Sequence, residues 1–171
     1  MTFWNVFFGV FAGIIAGIAI NFAIEALRNY KINRKMVKNL KFEIEFNIKK
    51  IDSFLDDLKR YRQHINSDSP YEYFGMLKFS GLLKTTLQQM FLDRSVYKLF
   101  GYEDIERLQI FMADFQSDDV ARIEDLIKEV RKLQDLDEMR KEANKFSDCL
   151  EGPLKTAKKN LEMVRAKGGK D

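Results

Sequence analysis

The chain has 171 residues, 46% of them hydrophobic, 32% charged and 13% aromatic, with a formal net charge of +3. That length suits one folded unit, and two Pro with nine Gly exclude a fibrous or low-complexity chain and weigh against a turn-rich β protein. One cysteine excludes a disulfide scaffold or a cysteine-built zinc site, one histidine leaves no His-rich metal site, and no cofactor is expected.

The charge is unevenly placed. From Phe3 to Leu27 the sequence reads FWNVFFGVFAGIIAGIAINFAIEAL, whose only ionisable side chain is Glu25, and all 29 Lys and Arg lie at Arg28 or beyond. A helix needs about 20 apolar residues to cross hydrocarbon, so residues 1–27 are expected to form a transmembrane signal-anchor helix. A cleaved signal peptide would place its cations before the apolar run, and here they follow it. Arg28, Lys31, Arg34, Lys35, Lys38 and Lys41 occupy a stretch without an acid. The positive-inside rule therefore puts the N-terminus outside and everything after the span in the cytoplasm. Arg28, Lys31, Arg34 and Lys35 lie where they would meet anionic lipid head groups, at about 1 kcal/mol each.

Within the span, Asn5, Gly9, Gly13, Gly17, Asn21 and Glu25 recur every four residues. Gly9, Gly13 and Gly17 give a small-xxx-small ridge on which a second helix can approach closely, so self-association is expected there. Phe7, Phe11, Ile14, Ile18 and Phe22 make the opposite face bulky. Small-on-large packing around a ring would turn Asn5, Asn21 and Glu25 inward as pore-lining candidates.

Residues 28–66 read as a long juxtamembrane helix leading into a bundle. Val37, Leu40, Ile44, Ile48, Ile51, Leu55 and Leu58 recur at steps of three and four, and Phe42, Phe46 and Phe54 are expected to widen that buried face. The helix should stop near His64 to Ser69, and Ser69-Pro70-Tyr71-Glu72 matches a capping box. Residues 67–167 then read as a cytosolic helical bundle. Its expected helices cover about 81–92, 94–100 and 102–115, then a segment opening at Ser117-Asp118-Asp119 and broken at Gly152-Pro153, with 168–171 a frayed tail. Ile105, Leu108, Phe111, Met112, Ile123, Leu126, Ile127, Val130, Leu133, Leu154, Leu161, Met163 and Val164 are the expected inward residues. The fold class is all-α: one N-terminal transmembrane helix and a cytosolic bundle.

Twelve acids against five cations between Glu103 and Glu138, and six cations against two acids from Pro153 on, are read mainly as solvated helix faces. Glu124–Lys128 is an i,i+4 pair among them. The basic tail has no aromatic interleaving, so nucleic acid is a weak partner class. No phosphate loop, dinucleotide fingerprint or zincin motif occurs, and Cys149 lies far along the chain from His64. Lys59, Arg60, Arg62 and His64 form the one chemical constellation. Arg60 and His64 share a helix face, where an imidazole can move a proton and a guanidinium can hold a phosphate. The plainer reading of His64 is an imidazolium favoured at a helix C-terminus.

An R-x(4–6)-H element on a small helical bundle resembles the HEPN class of ribonuclease-like domains. With an N-terminal span, the whole architecture is similar to the membrane accessory proteins of type VI-B CRISPR antiviral systems. Here Arg60-x3-His64 is one residue short, and Lys59-x4-His64 keeps the spacing with lysine. The resemblance implies a ring-shaped membrane pore acting downstream of RNA-guided detection. The expected function is thus a non-enzymatic, membrane-anchored homo-oligomer acting as a pore-forming or membrane-perturbing effector. The alternatives are a scaffold for a soluble protein or ribonucleoprotein partner, and a HEPN-like metal-independent ribonuclease using Arg60 and His64.

Overall fold

The computed structural model describes residues 3–67, 81–115 and 117–167. These residues are all-helical, with no strand among them. The helices are α1 (Phe3–Ile65), α2 (Thr85–Leu92), α3 (Val96–Leu99), α4 (Tyr102–Ala113), α5 (Ser117–Lys132) and α6 (Leu136–Lys167). The chain divides into two compact units, Met1–Asn39 and Leu40–Asp171. The proposed capping box at 69–72 and the tail at 168–171 lie outside the described residues.

In the second unit, α1 buries Leu40, Ile44, Ile48, Ile51, Phe54, Leu58, Tyr61 and Ile65. Val37 and Leu55 are half-buried at the edges of that stripe. Phe42 and Phe46 depart from expectation: they are 65% and 42% exposed. At about 100° per residue, both lie roughly opposite Leu40 and Ile51, so only Phe54 of the three joins the core.

Two polar residues occupy the core stripe instead. Glu43 and Asn47 are almost wholly buried, and with Lys50 they form a ladder that holds the start of α2. The Asn47 amide donates to the Leu83 carbonyl at 2.6 Å and accepts from the Leu83 N–H at 2.8 Å. The Lys50 ammonium donates to the Gly81 carbonyl at 2.7 Å. Glu43 accepts from the N–H groups of Thr86 and Leu87 at 2.8 and 3.2 Å, capping α2 from another helix. This explains why α2 begins at Thr85 rather than at 81. The backbone of 81–83 is bonded by α1 side chains, which replaces the bonds a further helical turn would supply.

The next turns are trimmed for similar reasons. α3 covers only Val96–Leu99, because Phe100 turns extended and Gly101 starts α4, its carbonyl accepting from Asp104 and Ile105. α4 ends at Ala113, two residues early, with Asp114 extended and Phe115 left-handed at φ 54. Such a conformation costs a side-chain-bearing residue about 1–2 kcal/mol, and burial of the Phe115 ring offsets it. The Lys84 ammonium closes this helix end, donating to the carbonyls of Met112 (3.1 Å), Asp114 and Phe115.

α6 corrects the expected break at Gly152-Pro153, since one helix runs from Leu136 to Lys167 with Pro153 inside it. An interior proline costs about 3 kcal/mol. Against that, Met139, Ala143, Phe146, Leu150, Leu154, Ala157, Leu161 and Val164 form one buried stripe that continues past the site, and Pro153 is exposed at the edge of that stripe. The break lies earlier, where the Asp135 carboxylate accepts from Asp137 and Glu138 N–H at 2.8 and 2.9 Å and caps α6. Its chain neighbours and the helix's own backbone aside, a Cβ at Gly152 meets no atom within 4 Å. Gly152→Ala alone gains helix propensity but sets its Cβ against the Pro153 ring, so the gain of about 0.5–1 kcal/mol is expected only in the Gly152→Ala, Pro153→Ala double variant compared with Pro153→Ala; no rise in melting temperature in that comparison would mean the helix is not intact there.

α4 and α5 both pack on α6, and α2 and α3 pack on α4. Leu108, Phe111, Ile123, Ile127 and Val130 are buried as expected. Ile105, Met112 and Leu133 are half-buried, while Leu126 and Met163 are exposed. Ion pairs join α1 to α6: Arg62 with Asp148 and with Glu151 (3.3 Å), and Lys158 with Asp52 (2.6 Å). Arg140 donates to the carbonyls of Ile65 and Ser67 and so caps the end of α1. The acidic and basic regions meet within the chain through Lys167, which pairs with Glu103 (2.9 Å) and Asp104 (3.5 Å). Lys128 pairs with Asp125 rather than with Glu124.

Candidate membrane-spanning surface

Among the described residues, α1 is the one helix long and apolar enough to cross a membrane. Its side chains from Ala12 to Lys31 are all exposed. Ile14, Ile15, Ile18, Ile20, Phe22, Ile24 and Leu27 leave apolar surface on every side, Phe22 at 68% and Leu27 at 62%. An amphipathic helix hides one stripe, whereas a helix apolar all round needs an apolar medium all round. Seven such side chains at about 1.5–3 kcal/mol each make exposure to water unfavourable by roughly 10–20 kcal/mol.

On this surface Gly13 and Gly17 are open notches, where an added Cβ would meet nothing within 4 Å at either position. Asn21 and Glu25 are exposed one and two turns further along. Asn5 and Gly9 lie on the α1 backbone, and their surroundings fall outside the described residues. Arg28, Lys31, Arg34 and Lys35 are exposed beyond the apolar run, and α1 is helical throughout 28–36.

The nuclease candidates are four residues apart near the end of α1. Lys59 and Arg60 are exposed and His64 is half-buried, its carbonyl accepting from the Ser67 N–H and hydroxyl. Arg62, between them, is taken up by Asp148 and Glu151. No cluster of three His, Cys, Asp or Glu suited to a metal occurs among the described residues. Cys149 is exposed on α6.

Grooves mark the described part of the bundle. One, of about 450 Å³, lies between α2 and α4, lined by Gln88, Phe91, Leu92, Gln109 and Met112, with Leu92 84% exposed. Another, of about 270 Å³, runs past Phe115, Ile123, Leu126, Leu150 and Pro153, with Asp114, Asp119 and Arg122 among its lining residues. Burial holds the Lys84 ammonium below the ordinary lysine range, with Asp114 and Asp119 pulling it back up. Burial likewise raises the Asp114 carboxyl; Lys84 opposes this and Asp119 adds to it. A raised folded-state value favours folding while the acid is protonated. That contribution is complete below 3.8 and is lost as pH rises through the folded value. Asp114→Asn is expected to gain melting temperature over the parent as pH rises past that point, and parallel pH profiles would exclude Asp114 as the source.

Sequence reasoning missed Glu43, Asn47 and Lys84. The first two were detectable, because they stand at core-stripe spacing from Leu40 and Ile51; nothing local marks Lys84. Compared with protein-family models, characterised proteins and solved structures, the chain shows no match.

Proposed function

We propose that this chain is a single-pass membrane protein, N-terminus outside and bundle in the cytoplasm, that associates with copies of itself and perturbs or opens the bilayer. The all-round apolar exposure of α1 over residues 14–27 carries the reading. The open notches at Gly13 and Gly17 support close helix approach. Asn21 and Glu25 support assembly too, since polar side chains in a span turn toward a partner or water rather than lipid. Contact between cytoplasmic parts would set how these two residues line an opening. The resemblance to membrane accessory proteins of type VI-B CRISPR systems points to antiviral defence as the setting.

The measurement that decides is the protomer count of detergent-purified full-length protein, read beside solute flux from liposomes. A ring-sized mass with flux is expected. Gly13→Leu should lower the mass and abolish the flux; a mass and flux that ignore this substitution would remove the ridge from the mechanism. The groove between α2 and α4 favours a second reading, a membrane-held adaptor for a soluble partner. An adaptor leaks nothing, so the same flux assay separates the two.

A further inference from the structure

Beyond Leu40, α1 presents an outward face opposite the residues it buries. Phe42 and Phe46 stand on it four residues apart, their rings stacked with centroids 6.4 Å apart. Lys49 and Ser53 extend the same line, and both are exposed. Glu45 lies exposed on one flank. Lys50 lies on the other, its ammonium 5.5 Å over the Phe46 ring.

A bilayer is a poor match for this face, because an interfacial helix buries a long apolar side and here two aromatic residues give way to lysine and serine. Spaced by four and then three, Phe42, Phe46 and Lys49 follow the seam of a paired helix. Glu45 and Lys50 then take the flanking positions that face one another across a parallel pair, five residues apart. Opposite charges sit at those two places. Lys50 gives one donor to the Gly81 carbonyl and keeps two more for a carboxylate.

We propose that the Phe42–Phe46 face of α1 is a parallel contact between copies of this chain, aromatic along its seam and closed by Glu45 of one copy on Lys50 of the next. The contact rests on the self-associating membrane reading above, since copies inserted with one topology meet in parallel.

The test uses full-length protein in detergent, with Cys149→Ser to remove the native thiol and Lys49→Cys to place a thiol on the seam. Oxidation should link copies pairwise. Glu45→Lys should lower the linking rate by about fivefold, as expected for an opposite pair turned into a like-charge one. Lys50→Glu should do the same, and the double exchange should restore it. Loss of the Gly81 hydrogen bond cannot produce that rescue. An oligomer of unchanged mass with no linkage at position 49 would overturn this contact and leave membrane self-association standing, whereas a monomer would overturn both. Quenching of a fluorophore at position 49 by lipid-borne spin labels, without linkage, would give the face to the bilayer and overturn the proposal.

Discussion

Two arginines in the middle of the span, Ile15→Arg with Ile18→Arg, are expected to move the protein out of the membrane fraction. Each cationic side chain at a helix centre costs about 2.5–3.5 kcal/mol on insertion scales. Together they cost roughly 5–7 kcal/mol, on the order of 10⁴ in the insertion equilibrium. Snorkelling does not rescue them, because Ile15 and Ile18 lie a dozen or so residues from the run's start and nine or more from Leu27. The parent should stay with membranes through alkaline carbonate and come out only with detergent. The bundle should survive, since every buried core residue from Leu40 to Val164 lies outside the substituted turns. Retained helical signal in a soluble double variant is therefore part of the expected result. A parent chain that is water-soluble without detergent would end the membrane reading. A double variant that still needs detergent would show that some other surface holds the lipid.

The second large effect is expected at Asn47→Leu. Leucine keeps the branched skeleton of asparagine but carries bulkier methyl groups that cannot approach as closely, and it leaves the Leu83 N–H and carbonyl without the partners they now have at 2.8 and 2.6 Å. An orphaned backbone group costs about 1–3 kcal/mol when fully buried, and since both bonds are part-buried the pair is expected to cost roughly 2–4 kcal/mol. That is a large share of a domain stability of about 5–15 kcal/mol. Chemical unfolding of detergent-solubilised protein, followed by circular dichroism, measures it. Hydrogen exchange at 81–87 should rise with it, because Asn47 and Glu43 hold one segment and the loss of one weakens the grip of the other. An Asn47→Leu protein as stable as the parent would mean water replaces the amide, and that the ladder does not set the start of α2.

The long periodic elements were legible from local pattern, and the departures from it share one cause. The stripe of α1 was readable from Leu40, Ile44, Ile48, Ile51 and Leu58, because steps of three and four select a single face whatever packs on it. Hydrophobicity by itself then over-counted: Phe42 and Phe46 are apolar but lie half a turn away from that face, while Glu43 and Asn47 are polar and sit within it. For α6, Gly152-Pro153 gave a local stop signal that the stripe from Met139 to Val164 outweighs. The real boundary carried its own signal, Asp135 with Glu138 three residues on. The candidate site divides the same way. The apolar run, its glycine spacing and the cations after it are sequence features, and the exposure of Gly13, Gly17, Asn21 and Glu25 is what the structure adds.

What the sequence determined by itself is whatever depends on nearest neighbours along the chain. That covers all-helical character, the length and apolarity of residues 3–27, the absence of metal-binding composition, and most of the core stripe. Only the tertiary structure decided which polar groups go inside and where helices start against their propensity. Those outcomes depend on partners far along the chain: Leu83 for Asn47, Thr86 for Glu43, and the carbonyls of Met112 and Asp114 for Lys84. A backbone group must be paired wherever it is buried, and no local pattern states which distant side chain will reach it.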